Sequence, residues 1–542
     1  MPPTPAEFDG IVIGAGQQGL VLSAYLARAG LRVAVFERRP EEGGAMNTWE
    51  SAPGVFHNLA THFKMHDGPV LSDLELDRYG VSFHFPKVKT VLLGDDGEEP
   101  LVHYEDWERT AQSLAKFSEK DAETYRRMAP VWNDWYERFV LPELYHAPEP
   151  PEVTEAKVAA APGGAEYLRA KAMAPEDYFE EVFEHPRTRA LVLWISGVST
   201  YRSERPGVST MGMHAFLSWL IRRTGLARGG SRQFARGLTR VITSNGSQVF
   251  TDEHVDRIMI EGGRASGVHL ASGRTVRASK FVASAVDVKQ TLLQLVEPGN
   301  VDEQLLDKIR AFRLDRSALF GVHLVLRERI RYRAEGLNPD VALGMRFLAG
   351  VEAVDDLIRE KRAAESGELV AGRLIVMPGQ PSVLDPTMAR EGVATAYAWT
   401  MVPTRIHHGE LEAWDDVAEG IADRVIESWA QAAENLTPDN ILHRRISTPL
   451  DLQRSFINML DGGLNMGELS PDQTGINRPT RELSQYATPI AGLYLAGSSS
   501  HPGGQLTGAP GYNAARRIVE DLGITPWWPA FRELGEAPAV AR

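Results

Sequence analysis

The alternation of apolar and polar positions near the start of the chain predicts a strand, a helix and a second strand in close succession. Residues 8–13 form a short apolar run that is typical of a buried strand. From residue 17 to residue 29 the apolar side chains recur at helical spacing, and Gly30 follows where a glycine commonly ends a helix. A second apolar run, residues 31–36, predicts another buried strand.

The loop between the first strand and the helix is rich in glycine. Gly14 permits a tight turn, Gly16 leaves room for a pyrophosphate beside Ala15, and Gly19 lets the helix pack closely against the strand. The start of the helix would direct free backbone N–H groups at the phosphates. Glu37, at the end of the second strand, would accept hydrogen bonds from ribose hydroxyls. The order of these parts predicts a site for the ADP half of a dinucleotide.

The residues after the second strand bear on which dinucleotide binds. The carboxylate of Glu37 would repel the 2′-phosphate of NADP, but the positive charge of Arg38 beside it means that NADP is not excluded. Gly43 and Gly44 provide a second close backbone approach, next to Ala45 and Met46. This arrangement resembles the glutathione-reductase-like FAD flavoproteins, so the predicted cofactor is FAD, and these four residues are expected to contact it.

The remaining pattern predicts a chain that leaves the cofactor domain twice. Short strands with glycine turns over residues 248–285 predict a β-meander, and by resemblance the backbone at Val255 would meet the adenine. Residues 147–164 are rich in Pro, Ala and Glu, which predicts an exposed loop. We therefore expect an α/β fold with a glutathione-reductase-like FAD-binding Rossmann domain and a discontinuous α+β substrate domain. The predicted boundaries are 7–70, 225–300 and 481–524 for the FAD-binding domain, 71–224 and 301–480 for the substrate-binding domain, and 525–542 for a C-terminal tail.

A second strand–glycine loop–helix pattern lies near the end of the chain. The strand ends at Gly497, and a helix is predicted to start near Asn513. The free N–H groups at its start would suit the flavin pyrimidine edge, where negative charge gathers on reduction. The runs 501–504 and 508–511 resemble the C-terminal signature of the phytoene desaturase-related flavoproteins, and residues 68–80 are similar to the β-carotene ketolase branch.

The C-terminal loop departs from the family pattern at two positions. Gln505 stands where a third glycine is usual, and Tyr512 stands where arginine is usual. The resemblance places Gln505 and the adjacent Leu506 close to the flavin. An amide side chain at this point argues against a direct transfer of the family's carotenoid substrates.

The resemblance implies an FAD-dependent dehydrogenase that desaturates a hydrophobic substrate. A hydride would pass to flavin N5 and leave a C=C bond. Three alternatives stay open: a carotenoid ketolase or hydroxylating relative, a flavin amine oxidase, and an FAD-binding assembly partner without catalytic activity. His57, His62 and Tyr201 are candidate bases, of which His62 and Tyr201 are preferred, and a polyene or a smaller cyclic or ketonic compound would serve as substrate. With no second dinucleotide unit in the pattern, O2 or a quinone is the expected electron acceptor.

Composition narrows the partners further. The formal net charge of −14 argues against a nucleic-acid partner, because neutralising phosphates needs a basic face. The 542 residues include no cysteine, which excludes disulfides and thiolate metal sites, and no other metal site is predicted. No apolar stretch reaches the roughly 18 residues of a membrane span. We expect a cytoplasmic protein. Residues 525–529 contain two tryptophans between prolines and would suit a peripheral membrane contact, but the negative net charge does not favour binding to anionic lipid.

Overall fold

The computed structural model describes residues 8–59, 64–65, 68–95, 97–196, 206–221 and 224–537. Its strands are β1 (Phe8–Ile13), β2 (Val33–Phe36), β3 (Thr48–Ala52), β4 (Val55–Asn58), β5 (Lys64–Met65), β6 (Phe83–His84), β7 (Val88–Leu92), β8 (Leu101–Tyr104), β9 (Thr224–Ala227), β10 (Gln248–Phe250), β11 (Val255–Glu261), β12 (Arg264–Leu270), β13 (Thr275–Ser284), β14 (Ser317–Leu326), β15 (Arg346–Leu348), β16 (Met377–Gly379), β17 (Ala394–Pro403), β18 (Ile441–Ser447) and β19 (Leu493–Leu495).

The α-helices are interspersed with these strands along the chain. They are α1 (Gln17–Arg28), α2 (Val70–Asp73), α3 (Trp107–Ala115), α4 (Glu119–Trp135), α5 (Leu141–Leu144), α6 (Pro151–Ala159), α7 (Gly164–Ala172), α8 (Pro175–Val182), α9 (Pro186–Ile195), α10 (Thr210–Ile221), α11 (Arg232–Ser244), α12 (Val288–Gln290), α13 (Glu303–Ala311), α14 (Val354–Glu365), α15 (Pro381–Leu384), α16 (Trp414–Ala430), α17 (Pro449–Ser455) and α18 (Ala509–Asp521). Among the helices in these described ranges, none has the length and apolar character needed to cross a membrane.

The largest sheet has seven strands in the order β10-β2-β1-β13-β12-β11, with β19 paired to β13. Strands β10, β2, β1, β13 and β19 run parallel, and β11 and β12 continue the sheet as antiparallel strands. Along β2, Val33 and Val35 pack into one hydrophobic cluster, and Ala34 and Phe36 pack into another on the opposite face. Both faces of the sheet are covered at β1 and β2, which explains why these two strands are nearly continuous apolar runs.

Other sheets come from the two long stretches that interrupt this one in sequence. One has four strands in the order β16-β17-β14-β18, and a three-stranded sheet has the order β15-β7-β8. Both of these sheets contribute residues to one further hydrophobic cluster, which includes the buried Trp414 and Trp429. The α/β fold is as expected from the sequence, whereas the domain boundaries stay a prediction.

Two local predictions are wrong. Residues 151–159 form helix α6 instead of an exposed loop. A proline in the first turn needs no hydrogen-bond acceptor for a backbone N–H, and the alanines and glutamates that follow have high helix propensity, so the same composition suits an exposed helix. Helix α18 begins at Ala509, before the expected Asn513, because Pro510 also lies in a first turn.

Candidate active site

A cavity of about 540 Å³ runs from the N-terminal glycine loop to an aromatic region contributed by the interrupting stretches. The predicted cofactor residues that line it are Gly14, Gly16, Glu37, Arg38, Gly43, Gly44, Ala45, Met46, Val255, Gln505 and Leu506. Their contact with the cofactor stays a prediction. The structure thus brings both glycine loops and the start of the meander to one cavity.

The acidic residue at the end of β2 is held in place by backbone groups. Glu37 is buried, and its Oε2 accepts a hydrogen bond from the N–H of Ala15 at 3.0 Å. Its Oε1 accepts from the N–H of Arg39, also at 3.0 Å. Each carboxylate oxygen retains a second lone pair for a further donor. The carboxylate is therefore oriented at the cavity edge, as a ribose-binding acid requires.

The N-terminal glycine loop, residues 14–19, is in direct contact with the Gly43–Gly44 pair. The N–H of Gly43 donates to the carbonyl of Ala15 at 2.8 Å. A Cβ atom added at Gly44 would lie 3.1 Å from the Cα of Gly16. Gly43 has a φ of 114°, a conformation that favours glycine. The second pair therefore forms part of the same wall as the first loop.

The three remaining predicted cofactor residues do not line the cavity but shape the loops beside it. A Cβ atom at Gly19 would lie 2.0 Å from the carbonyl oxygen of Gly14, and one at Gly497 would lie 2.6 Å from that of Val286. Ala15 holds Glu37 through its backbone N–H, as described above. Packing and backbone orientation, not side-chain contact, account for these three positions.

The N-terminal and C-terminal loops are joined at the starts of helices α1 and α18. The side-chain Oε1 of Gln18 accepts from the N–H of Gly511 at 3.1 Å. Beside this junction, Gln505 adopts a φ of 64°. Among the described residues, Gln17 Nε2 and Gln505 Oε1 are buried without a hydrogen-bond partner in the protein, and both side chains belong to the cavity wall. Such atoms suit a polar ligand between them.

A buried arginine, Arg478, supports the wall next to the C-terminal loop. Its guanidinium donates to the backbone carbonyls of Asn465 at 3.0 Å and of Ser498 at 2.9 Å. It also reaches the carbonyls of residues 466–468 at 3.3–3.5 Å. Burial lowers the pKa of Arg478 to about 10, and the nearby Asp315 and Asp287 oppose that shift. The cation therefore persists at neutral pH and ties two segments of the wall together.

The far end of the cavity is aromatic. Trp194, Met377, Tyr397 and Trp399 line it, and the rings of Tyr397 and Trp399 have centroids 5.0 Å apart. Arg346 lies among them, with its guanidinium carbon 4.8 Å from the centre of the Trp194 ring. Sequence reasoning missed Arg346, Met377 and Tyr397, because none of them belongs to a recognisable motif.

Neither of the two preferred bases is tested by the structure. His62 and Tyr201 both lie outside the described residues. His57, in the same early segment as His62, is buried against Trp49 and His323 and does not line the cavity. Burial, followed by the nearby His443 and Arg445, lowers its pKa to about 4, so its imidazole is neutral at physiological pH.

A buried acid beside the aromatic region supports a prediction on pH dependence. Glu360 of α14 accepts a hydrogen bond from Thr400 Oγ1 at 3.0 Å, and burial raises its pKa to about 8 from a reference of 4.5. Between these two values the unfolded chain releases a proton that the folded chain retains, so stability falls as pH rises. Glu360→Gln is expected to remove this loss and to stabilise the protein at pH 7 by at most about 3 kcal/mol.

Chemical denaturation of both proteins from pH 4 to pH 8 measures this difference. The two stabilities are expected to converge near pH 4 and to separate as the pH rises. Glu368→Gln, on the exposed loop after the same helix, is the control and should change stability little. A constant difference between Glu360→Gln and the parent at every pH would contradict a protonated Glu360.

Comparison with known proteins finds relatives over nearly the whole chain. The model of the NAD(P)-binding Rossmann-like domain matches residues 12–74. A limonene dehydrogenase component of Castellaniella defragrans is 30% identical over 96% of this chain and 96% of its own. A lycopene-forming phytoene desaturase of Paracoccus is 26% identical over 94% of this chain and 96% of its own.

Solved structures share the fold over nearly the full length. An oxidoreductase from Methanosarcina mazei superposes with a TM-score of 0.59 at 16% identity, covering 94% of this chain and 99% of the other. A putrescine oxidase variant also superposes with a TM-score of 0.59, at 14% identity, covering 95% and 98%. These likenesses show that the chain shares the overall fold of both structures.

Proposed function

The chain belongs to the FAD-dependent oxidoreductases related to the phytoene desaturases, and from this premise we propose that it dehydrogenates a hydrophobic substrate to form a C=C bond. The observation that carries the proposal is the cavity itself. Its glycine-lined end suits the cofactor, and the same space continues to an apolar and aromatic end without a break. Aromatic walls with few polar groups are typical of sites for hydrophobic small molecules.

The residues at the glycine-lined end fit FAD. Gly16 is open to the cavity, since a Cβ atom there would meet none of the described atoms within 4 Å, and a pyrophosphate needs that space. Glu37 presents an oriented carboxylate for a ribose, and Val255 lies at the same end. Gln17 and Gln505 offer amide groups to the polar parts of the cofactor. We propose that these residues hold FAD.

Bound FAD supplies a hydride acceptor, and the protein supplies position and environment. Trp194, Tyr397 and Trp399 would exclude water and confine the substrate between the loops and the strand β17. The two β17 residues are two positions apart, so their side chains point to the same face of the strand. His62 and Tyr201 remain the proposed acceptors of the proton that leaves with the hydride.

Anaerobic mixing tests the proposed function. The FAD-loaded protein is mixed with limonene, phytoene, the cyclic ketone menthone and a primary amine in the absence of O2, and the oxidised-flavin absorbance is followed. We expect bleaching with a hydrophobic hydrocarbon or its oxygenated relative, together with a product two hydrogen atoms lighter. Re-exposure to O2 or to a soluble quinone then identifies the acceptor, which we propose is one of these two. An unreduced flavin across the panel would instead favour a non-catalytic FAD-binding role.

Amine oxidation is an alternative that one feature of the cavity supports and another opposes. The Tyr397–Trp399 pair provides the aromatic surfaces that an amine oxidase needs. The positive charge of Arg346, in the same part of the cavity, would repel a protonated amine. We therefore place dehydrogenation ahead of amine oxidation. A ketolase or hydroxylating activity would be recognised by a product that gains oxygen.

A further inference from the structure

The aromatic end of the cavity contains a fixed positive charge. Arg346 begins strand β15, which pairs with β7 so that Arg346 is opposite Thr90. Its Nε donates to Thr90 Oγ1 at 2.7 Å, and its guanidinium lies over the ring of Trp194. Only 7% of the residue is exposed. Two contacts on different elements thus hold the planar group in a defined orientation within the cavity wall.

The position of this charge differs from that of the other charged residues along the cavity. Among the described residues of the wall, Glu37, Arg38, Arg39, Glu253 and Asp256 all belong to the ADP end, at the ends of β2 and the start of β11. Arg346 instead lies with Trp194, Met377, Tyr397 and Trp399. A cation among aromatic side chains, far in sequence from the cofactor motifs, points to recognition of the substrate.

Arg346 remains charged at neutral pH although its surroundings are apolar. Burial lowers its pKa to about 9, and the proximity of Tyr397 opposes this shift, so the guanidinium is a cation at neutral pH. In such surroundings a hydrogen bond from the guanidinium to an oxygen of a bound molecule is strong, because the local dielectric is low. A guanidinium presents several N–H donors in one plane, which match carboxylate and carbonyl oxygens.

We propose that Arg346 binds a hydrogen-bond-accepting oxygen, of a carbonyl or a carboxylate, on an otherwise hydrophobic substrate. The assignment rests on the proposed dehydrogenase function for the identity of the bound molecule as the substrate. The aromatic residues would hold the hydrocarbon part of that molecule, and Arg346 would fix its orientation by holding one end. The substrate class is then an oxygenated hydrophobic compound, not a plain hydrocarbon and not an amine.

Three compounds with one carbon skeleton test this assignment: menthane, its ketone menthone, and the carboxylic acid in which one menthane methyl group is oxidised. Their binding to the FAD-loaded protein is measured through perturbation of the oxidised-flavin spectrum, which requires no turnover. We expect the ketone or the acid to bind more tightly than menthane. Arg346→Met is expected to weaken binding of the preferred oxygenated compound about 10- to 100-fold, because a hydrogen bond to a charged group is lost.

Two further variants distinguish recognition from a general effect on the fold. Arg346→Lys keeps the charge without the planar fork and should bind the oxygenated compound with intermediate affinity. Arg333→Met removes an arginine from an exposed turn and should leave all three affinities unchanged. FAD content and thermal stability, measured for every variant, identify any protein that has failed to fold. A larger loss for the acid than for the ketone would identify a carboxylate, and the reverse would identify a carbonyl.

The outcomes separate this assignment from the proposed function. Equal affinities of the parent and Arg346→Met for all three compounds would overturn the role of Arg346, even if a hydrocarbon reduces the flavin. Arg346-dependent binding without flavin reduction by any compound would support the binding role and contradict the dehydrogenase. If Arg346→Met does not retain FAD, Arg346→Lys is compared with the parent protein instead. An unchanged preference of Arg346→Lys for the oxygenated compound over menthane would then also overturn the assignment.

Discussion

Gly16→Val is expected to yield a folded protein that no longer retains FAD, with the affinity reduced on the order of 100-fold or more, about 3 kcal/mol. Gly16 has a φ of −70° and a ψ of 177°, which valine readily adopts, and an added Cβ atom meets none of the described atoms within 4 Å. The new side chain would instead project into the space that the pyrophosphate needs. The ratio of flavin to protein absorbance after purification measures the loss.

A second glycine of the same loop provides the matched comparison. Gly19→Ala would place a Cβ atom 2.0 Å from the carbonyl oxygen of Gly14, within the protein itself. An alanine inside a helix normally stabilises it by up to about 1 kcal/mol, but here overpacking should destabilise the protein by about 1–3 kcal/mol. Thermal unfolding of both apoproteins separates the two effects. A Gly16→Val protein that keeps its flavin would contradict the assignment of this loop to the cofactor.

Arg478→Met is expected to cost about 3–5 kcal/mol of unfolding free energy and to weaken FAD retention. Methionine fills a similar volume, yet it leaves the carbonyls of Asn465, Ser498 and residues 466–468 without the donors that now reach them. Asn465, Met466 and Ser498 belong to the cavity wall, so their displacement should reach the cofactor. Urea unfolding and flavin content measure the two consequences.

Two other substitutions define what this arginine contributes. Arg478→Lys keeps a positive charge but cannot reach all five carbonyls, and should recover only part of the stability. Arg313→Met removes a half-exposed arginine that binds Glu468 and Asp472 in the neighbouring segment, and should cost less than about 1 kcal/mol. Similar losses for Arg313→Met and Arg478→Met would show that the buried network adds nothing beyond surface pairing.

Some features of this protein were predictable because their causes are local. Gly14, Gly16 and Gly19 permit one tight turn and the close packing of one helix. Glu37 lies directly at the end of the next strand. The continuous apolar runs of β1 and β2 follow from burial of both sheet faces. Helix α6 was not predictable in the same way, since a Pro-, Ala- and Glu-rich segment suits both an exposed loop and an exposed helix.

The sequence by itself therefore determined the α/β fold and the two glycine loops, because each depends on residues adjacent along the chain, and the resemblance of these loops to known flavoproteins identified FAD as the cofactor. Only the tertiary structure determined which residues form the opposite, aromatic end of the cavity. Trp194 of α9, Arg346 of β15 and Tyr397 of β17 are spread over about 200 residues of sequence and meet only when the interrupting sheets pack against the glycine loops. The local sequence does not show which side chains become buried by such packing. Arginine usually lies at the protein surface, and it is the burial of Arg346 in the cavity wall that makes it a candidate for substrate recognition.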